Sequence, residues 1–122
     1  NLGVKLFFIE EYEESNEVLD NVLEKRPDDS EALLKKAEII HKTQPKSPGM
    51  SIYDHFEKAL SICDEVINNG GKYYGKNTDP VVENFCKIGH VRDAWILKST
   101  IYWDMGNRVE SQNCKLSMPE LP

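Results

Sequence analysis

Two cysteines and two histidines are the residues in this chain whose types and spacing come nearest to a metal site. Cys86 and His90 lie four residues apart in the stretch CKIGH, which on one helix would place both side chains on the same face. His55 and Cys63 would complete a set of four zinc ligands. Gly89, however, is expected to interrupt the helix, and the sequence contains no Cys-x-x-Cys pair. We therefore interpret the cysteines as small core residues and expect neither a metal nor a cofactor.

A phosphate site is the second chemistry to consider, in the stretch NNGGKYYGK. It fits neither phosphate-loop pattern, and it follows a helical pattern rather than a strand. The stretch therefore predicts a solvated loop, in which Tyr73 and Tyr74 either form a docking point or cover an apolar face. No Ser/His/Asp or Cys/His arrangement has the spacing of a nucleophilic site. We expect no catalytic residues, no enzyme activity and no small-molecule substrate.

Composition and charge narrow the classes of partner. The 122 residues carry a formal net charge of -6, and the 15 basic residues are scattered, which disfavours nucleic acid and an anionic membrane surface. No apolar run is long enough to cross a bilayer. Three widely spaced cysteines indicate a reducing compartment, so we expect an intracellular protein, cytoplasmic or nuclear. The chain begins with Asn rather than Met, so we expect its N-terminus to be cut.

The elements that must position any site are predicted to be helices throughout. Apolar residues recur at helical spacing, and no run alternates with the period of a strand. Pro27 is expected to end the first helix, and Asp28 with Glu31 to mark the start of the second. Gly89 is expected to end a short helix, PVVENFCKI, and Gly106 the next one, VRDAWILKSTIYWDM. The fold class is all-α.

Small, bulky and aromatic residues recur along these helices at a common spacing. The first set is Leu2, Gly3, Tyr12, Ser15, Leu19, Val22 and Pro27; the second is Leu33, Ala37, Ile40, Phe56, Ala59, Cys63 and Val66; the third is Trp95, Ser99, Tyr102, Gly106 and Ser111. The pattern resembles the tetratricopeptide repeat, a helix pair repeated every 34 residues, with degenerate units and inserted loops.

The resemblance implies a short right-handed α-solenoid of antiparallel helix pairs. It divides a single domain, 1–122, into a partial repeat over 1–29, a repeat with insertions over 30–91, a partial repeat over 92–115 and a tail over 116–122. In this family the first helix of each pair lines a concave groove. The groove candidates that this implies are Phe7, Phe8, Leu34, Glu38, His41, Ile96, Thr100 and Trp103.

The candidate groove is rich in apolar and aromatic side chains, which is typical of a site for an amphipathic helix or an extended segment of a protein partner. Lys42 is the one groove residue that could hold the C-terminal carboxylate of a chaperone tail, and acidic residues surround it. We therefore expect a non-catalytic interaction module within a larger complex. The alternatives are a homo-oligomerisation domain whose groove is closed by a second copy, and a nucleotide or enzyme site in the inserted loops. RNA binding would need a basic groove, whereas the candidate groove is acidic, so we do not expect RNA as a partner.

Overall fold

Five α-helices make up the part of the chain that the structure describes. The computed structural model describes the backbone of residues 2–43, 51–75 and 79–120, and within those ranges the side chains from residue 14 onward except Ile52. The helices are α1 (Leu2–Lys25), α2 (Ser30–Lys42), α3 (Ile52–Asn68), α4 (Pro80–Asp104) and α5 (Arg108–Ser117). These ranges contain no strand, so the all-α prediction is confirmed. None of the described helices is long and apolar enough to cross a membrane.

Short polar residues begin four of the helices. The Asp29 side chain accepts a hydrogen bond from the backbone N–H of Ala32 at 3.2 Å, and Ser51, Asp79 and Asn107 cap α3, α4 and α5 in the same way. The α2 start was expected at Asp28, so the sequence prediction is wrong by one residue. At the other end of α4, Gly106 has a φ of 80°, and the N–H groups of Gly106 and Asn107 donate to Trp103 and Tyr102. Gly106 therefore ends α4 as the sequence predicts.

The helices pack in chain order, and one pair of alternate helices also meets. Each of α1 to α4 packs against the helix that follows it, and α2 packs against α4 as well. The core cluster is Leu33, Ala37, Ala59, Leu60, Cys63, Val66, Ala94 and Ile101. Several members of this cluster are small and fully buried. Small side chains between two helices let the helix axes approach closely.

The contact between α4 and α5 is made by a pair of buried serines. The Ser99 hydroxyl donates to the backbone oxygen of Ser111 at 3.0 Å, and the Ser111 hydroxyl donates to that of Ser99 at 2.9 Å. Each hydroxyl therefore satisfies its donor inside the protein, which removes the cost of burying it. The sequence placed both serines at small-residue positions of the repeat, and both are buried.

Two predicted interruptions are absent. The chain is helical through Gly89, so the predicted break there is wrong, and the expected boundary between residues 91 and 92 falls inside α4. Similarly, α1 is one unbroken helix of 24 residues, where the repeat pattern expects the turn of a helix pair. No glycine or proline occurs between Gly3 and Pro27, and the acidic residues between them favour helix. The boundary between the first and second units, after residue 29, coincides with the start of α2, but the first unit lacks an internal turn and the start of the third unit falls within a helix.

Candidate interaction surface

A groove of about 670 Å³ lies between α2 and α4. His41, near the end of α2, is hydrogen-bonded to Asp104, the last residue of α4, while Glu31 at the start of α2 lines the same groove as Cys86 in the first half of α4. The two helices therefore run in the same direction. Five of the eight predicted groove residues line this groove: Leu34, Glu38, His41, Ile96 and Thr100.

The floor of the groove is apolar. Leu34 and Leu97 are half-buried and pack against the core, which fixes their positions. Ile96 is 47% exposed, so a large part of its aliphatic surface faces the opening. Tyr73, which comes from the loop before α4, adds an aromatic ring to the lining. The floor could therefore bury an apolar side chain from a partner.

The rim of the groove carries charges of both signs. On the α2 side, Lys42 donates a hydrogen bond of 2.8 Å to Glu38, and this bond lowers the pKa of the Glu38 carboxyl below its ordinary 4.5 against a smaller opposing effect of burial. Lys35 and Glu31 also line this side, and Asp93 lies on the α4 side. Because cations and anions alternate, the rim attracts neither a purely acidic nor a purely basic partner.

One end of the groove is closed by a contact between the helix ends. The His41 Nε2 atom lies 2.6 Å from the Asp104 Oδ2 atom, and the His41 side chain is only 13% exposed. The Phe56 ring of α3 packs against the His41 imidazole, with 5.4 Å between the ring centroids. This contact joins the C-terminal turns of α2 and α4 and holds the two walls together at that end.

The other end is closed by the loop that follows α3. Gly71 packs so closely on α4 that a Cβ atom there would come within 2.2 Å of the Lys87 carbonyl oxygen. The His90 Nδ1 atom lies 2.9 Å from the Gly71 carbonyl oxygen, which accepts its hydrogen. The Tyr73 and His90 rings follow, with 6.4 Å between centroids. The loop therefore packs on α4 at Lys87 and His90 and places Tyr73 in the groove.

The backbone amides at the start of this loop are already bonded within the protein. The Asn69 Oδ1 atom accepts from the backbone N–H groups of Gly71 and Lys72 at 3.0 and 3.1 Å. Its Nδ2 atom donates to the Asp28 carbonyl oxygen at 3.2 Å, which ties the loop to the start of α2. A phosphate-binding loop needs its N–H groups pointing at the ligand, and the N–H groups of Gly71 and Lys72 do not have that geometry.

The four residues considered for zinc do not come together. His55 donates through Nε2 to the carbonyl oxygens of Ile40 and Thr43 at 2.7 and 3.0 Å, and so caps the end of α2. Cys63 is fully buried in the core, and burial raises the pKa of its thiol to about 12. Within the described ranges no group of three or more His, Cys, Asp and Glu side chains could hold a metal ion.

The other three predicted groove residues are Trp103, Phe7 and Phe8. Trp103 is 54% exposed, and the Arg108 guanidinium lies 4.7 Å from its ring centroid, but it does not line the groove between α2 and α4. Trp103 lies beside the start of α5, and its assignment to a partner-binding groove stays a prediction. The side chains of Phe7 and Phe8 lie outside the described residues.

Other residues line the groove that are not among the predicted candidates, and they include Tyr73, Cys86, His90 and Leu97. The four-residue spacing of Cys86 and His90 was the available signal. It was set aside because Gly89 was expected to end the helix between them, whereas α4 runs through that position. Nothing in the local sequence indicates that the loop brings Tyr73 to the groove.

A second groove, of about 520 Å³, lies on the opposite side of the same ridge of α2, between α2 and α1. Val18 and Leu19 of α1 and Ile39 of α2 give it an apolar lining, and Val18 is 62% exposed. Lys35, Glu38 and Lys42 form the ridge that separates the two grooves.

Comparisons with protein-family models, with curated proteins and with solved structures found no match to this chain.

Proposed function

We propose that this chain is a non-catalytic interaction module that binds an amphipathic helix or an extended segment of a protein partner in the groove between α2 and α4, within a larger intracellular assembly. One observation carries the proposal. Ile96 is exposed in an apolar groove whose other floor residues are fixed by the core and whose two ends are closed by contacts within the protein. Such a surface is preorganised, so a partner would not have to order it on binding.

The helix packing supports a tetratricopeptide-like solenoid for this module. Helices α2 and α4 lie side by side in the same direction, and each packs against the helix that follows it, as the first helices of successive repeats would. Buried small residues occupy the corresponding positions in both pairs: Ala37 and Ala59 in the first, Ser99 and Ser111 in the second. The solenoid is therefore proposed from this helix packing alone.

The groove also defines the chemistry of its partner. An apolar floor with a rim of mixed charge suits a helix whose apolar residues recur at i, i+3 or i+4 and i+7, with both acidic and basic residues beside them. A segment whose recognition depends on a C-terminal carboxylate fits poorly. The cations on the ridge are Lys35 and Lys42, and Glu31, Glu38 and Asp93 lie in the same groove.

A display library of helical and extended peptides, selected against the wild-type chain, tests the proposal. Ile96→Glu places a charge in the groove at an exposed position, so it should leave the fold intact and weaken the selected peptides by more than about tenfold. Leu116→Glu is the matched control, since Leu116 is 76% exposed on α5 and lies outside the groove. The proposal fails if no amphipathic peptide is selected, or if the selected peptides bind the Ile96→Glu and wild-type chains equally well.

A further inference from the structure

Two carboxylates lie about level with each other on opposite walls of the groove between α2 and α4. The contact between His41 and Asp104 joins residues 63 positions apart, so a residue of α2 lies about level with the α4 residue 63 positions later. Glu31 is then level with position 94, beside Asp93, and both side chains are exposed and line the groove. The axes of packed helices lie about 8–10 Å apart. Glu31 and Asp93 therefore flank the end of the groove that the loop after α3 closes.

The two carboxylates are unpaired in the described part of the chain. Neither Glu31 nor Asp93 forms a hydrogen bond or an ion pair with a described residue. On α4, the guanidinium of Arg92, next to Asp93 in the chain, donates instead to the Pro119 carbonyl oxygen. On α2, Lys35 lies one turn further along the groove and also lines the second groove. The charge at this end of the groove is therefore negative.

An apolar pair follows the carboxylates at the same spacing on both helices. Leu34 comes three residues after Glu31, and Ile96 comes three residues after Asp93, which is about 4.5 Å along each helix axis. The Tyr73 ring lies at the same end of the groove as the carboxylates. The groove thus presents two anions and an aromatic ring and, one turn later, an apolar floor.

The closeness of the carboxylates to the apolar floor restricts what can bind there. A partner that covers the floor also removes the two carboxylates from water, and a charge that is buried without a partner is costly. An acidic side chain would add repulsion, and an apolar one would leave both charges unpaired. A cationic side chain avoids both effects, because its donors replace the lost water with charge-assisted hydrogen bonds. Charge complementarity therefore requires a cation on the partner, one turn from the residue that fills the floor.

We propose that the groove binds an amphipathic helix of a protein partner whose apolar anchor packs on Leu34 and Ile96. A lysine or arginine of that helix, one turn from the anchor, lies between Glu31 and Asp93. Lysine carries three donors and arginine five, so either can bond to both carboxylates. The aliphatic stem of the basic side chain lies on the Tyr73 ring, with its charged head at the rim. This inference rests on the proposed function and deepens it by naming the conformation, charge and spacing of the partner.

Peptides selected on the wild-type chain test this pairing by fluorescence anisotropy at physiological ionic strength. The binders should be helical and carry a lysine or arginine three or four residues from an apolar anchor. A chain with both Glu31→Gln and Asp93→Asn should bind such a peptide more than about tenfold more weakly, since it loses hydrogen bonds between charged groups. A peptide with glutamine in place of the basic residue should bind this chain and wild type equally weakly, because the two changes remove one interaction.

A chain with both Glu57→Gln and Glu110→Gln is the matched control. It loses the same two units of charge from exposed side chains that lie outside the groove. Its affinity for the peptides should stay within about twofold of wild type, since exposed charges beyond the Debye length are screened. Thermal melting by circular dichroism checks that both doubly substituted chains remain folded.

Failure of this inference is distinguishable from failure of the proposed function. If no amphipathic peptide is selected, or if Ile96→Glu does not weaken the selected peptides, both are overturned. If the peptides bind through Ile96 but carry no basic residue at that spacing, only the inference is overturned. The same holds if they bind the chain with Glu31→Gln and Asp93→Asn as tightly as wild type. A control chain that loses as much affinity would also overturn it, because the peptides would then respond to net charge alone.

Discussion

Replacing three glycines by alanine, one at a time, should change the free energy of unfolding by amounts that differ in size and in sign. Gly89 lies inside α4, its φ is not positive, and a Cβ atom there would meet nothing within 4 Å. Gly89→Ala should therefore stabilise the protein by about 0.5–1 kcal/mol, because alanine loses less backbone entropy when the helix forms.

The same substitution at the other two positions should destabilise. Gly106 has a φ of 80° with open space around it, so Gly106→Ala meets only the left-handed backbone and should cost about 1–2 kcal/mol. Gly71 has a φ of 73°, and its Cβ atom would also lie 2.2 Å from the Lys87 carbonyl oxygen. Adding an overpacking cost to the backbone cost gives about 2–5 kcal/mol for Gly71→Ala.

Urea denaturation followed by far-UV circular dichroism measures these differences. With a slope of about 2 kcal/mol/M, a change of 1 kcal/mol moves the midpoint by about 0.5 M. The urea concentration at the midpoint should be highest for Gly89→Ala, followed by wild type and then Gly106→Ala, and lowest for Gly71→Ala. A Gly89→Ala chain less stable than wild type would contradict the unbroken α4. A Gly71→Ala chain no weaker than Gly106→Ala would contradict the close packing of the loop on α4.

Three further outcomes follow from buried groups. Ala37→Glu puts a charge at a fully buried site, so the chain should lose its helical circular dichroism at 25 °C, and a variant that melts like wild type would refute this. Ser99→Ala or Ser111→Ala should each cost about 1 kcal/mol in urea denaturation, since each removes one buried donated hydrogen bond; no change would mean the hydroxyls bond elsewhere. In a thiol-reagent assay at pH 8, Cys86 should react first and Cys63 only on unfolding, because burial raises the pKa of Cys63 to about 12; equal rates would contradict its burial.

Local spacing was enough to predict the core of the helix pairs. Ala37, Ala59 and Cys63 were placed at small or bulky repeat positions, and all three are fully buried. Such positions are read directly from the sequence, because the helical period alone determines which side chains share a face. The same spacing placed Leu34 and Ile96 in one groove, although they are far apart in the chain.

Interruptions were predicted less well, because a glycine is a weak signal. One glycine costs a helix only about 1 kcal/mol relative to alanine, and packing can outweigh that. At Gly89 the loop carrying Gly71 and Tyr73 packs against the same turns of α4. That contact joins residues from two elements, so no local pattern contains it. The contribution of Tyr73 to the groove was missed for the same reason.

The Asn69 side chain joins the loop after α3 to the start of α2 through several hydrogen bonds. Its amide bonds to Gly71, Lys72 and the Asp28 carbonyl oxygen, and it accepts from the Ser30 hydroxyl at 3.3 Å. These bonds hold the Gly71 and Lys72 amides in place, so we expect both to exchange with solvent more slowly than loop amides without a partner. The end of the groove that this loop closes is therefore held in place before a partner binds.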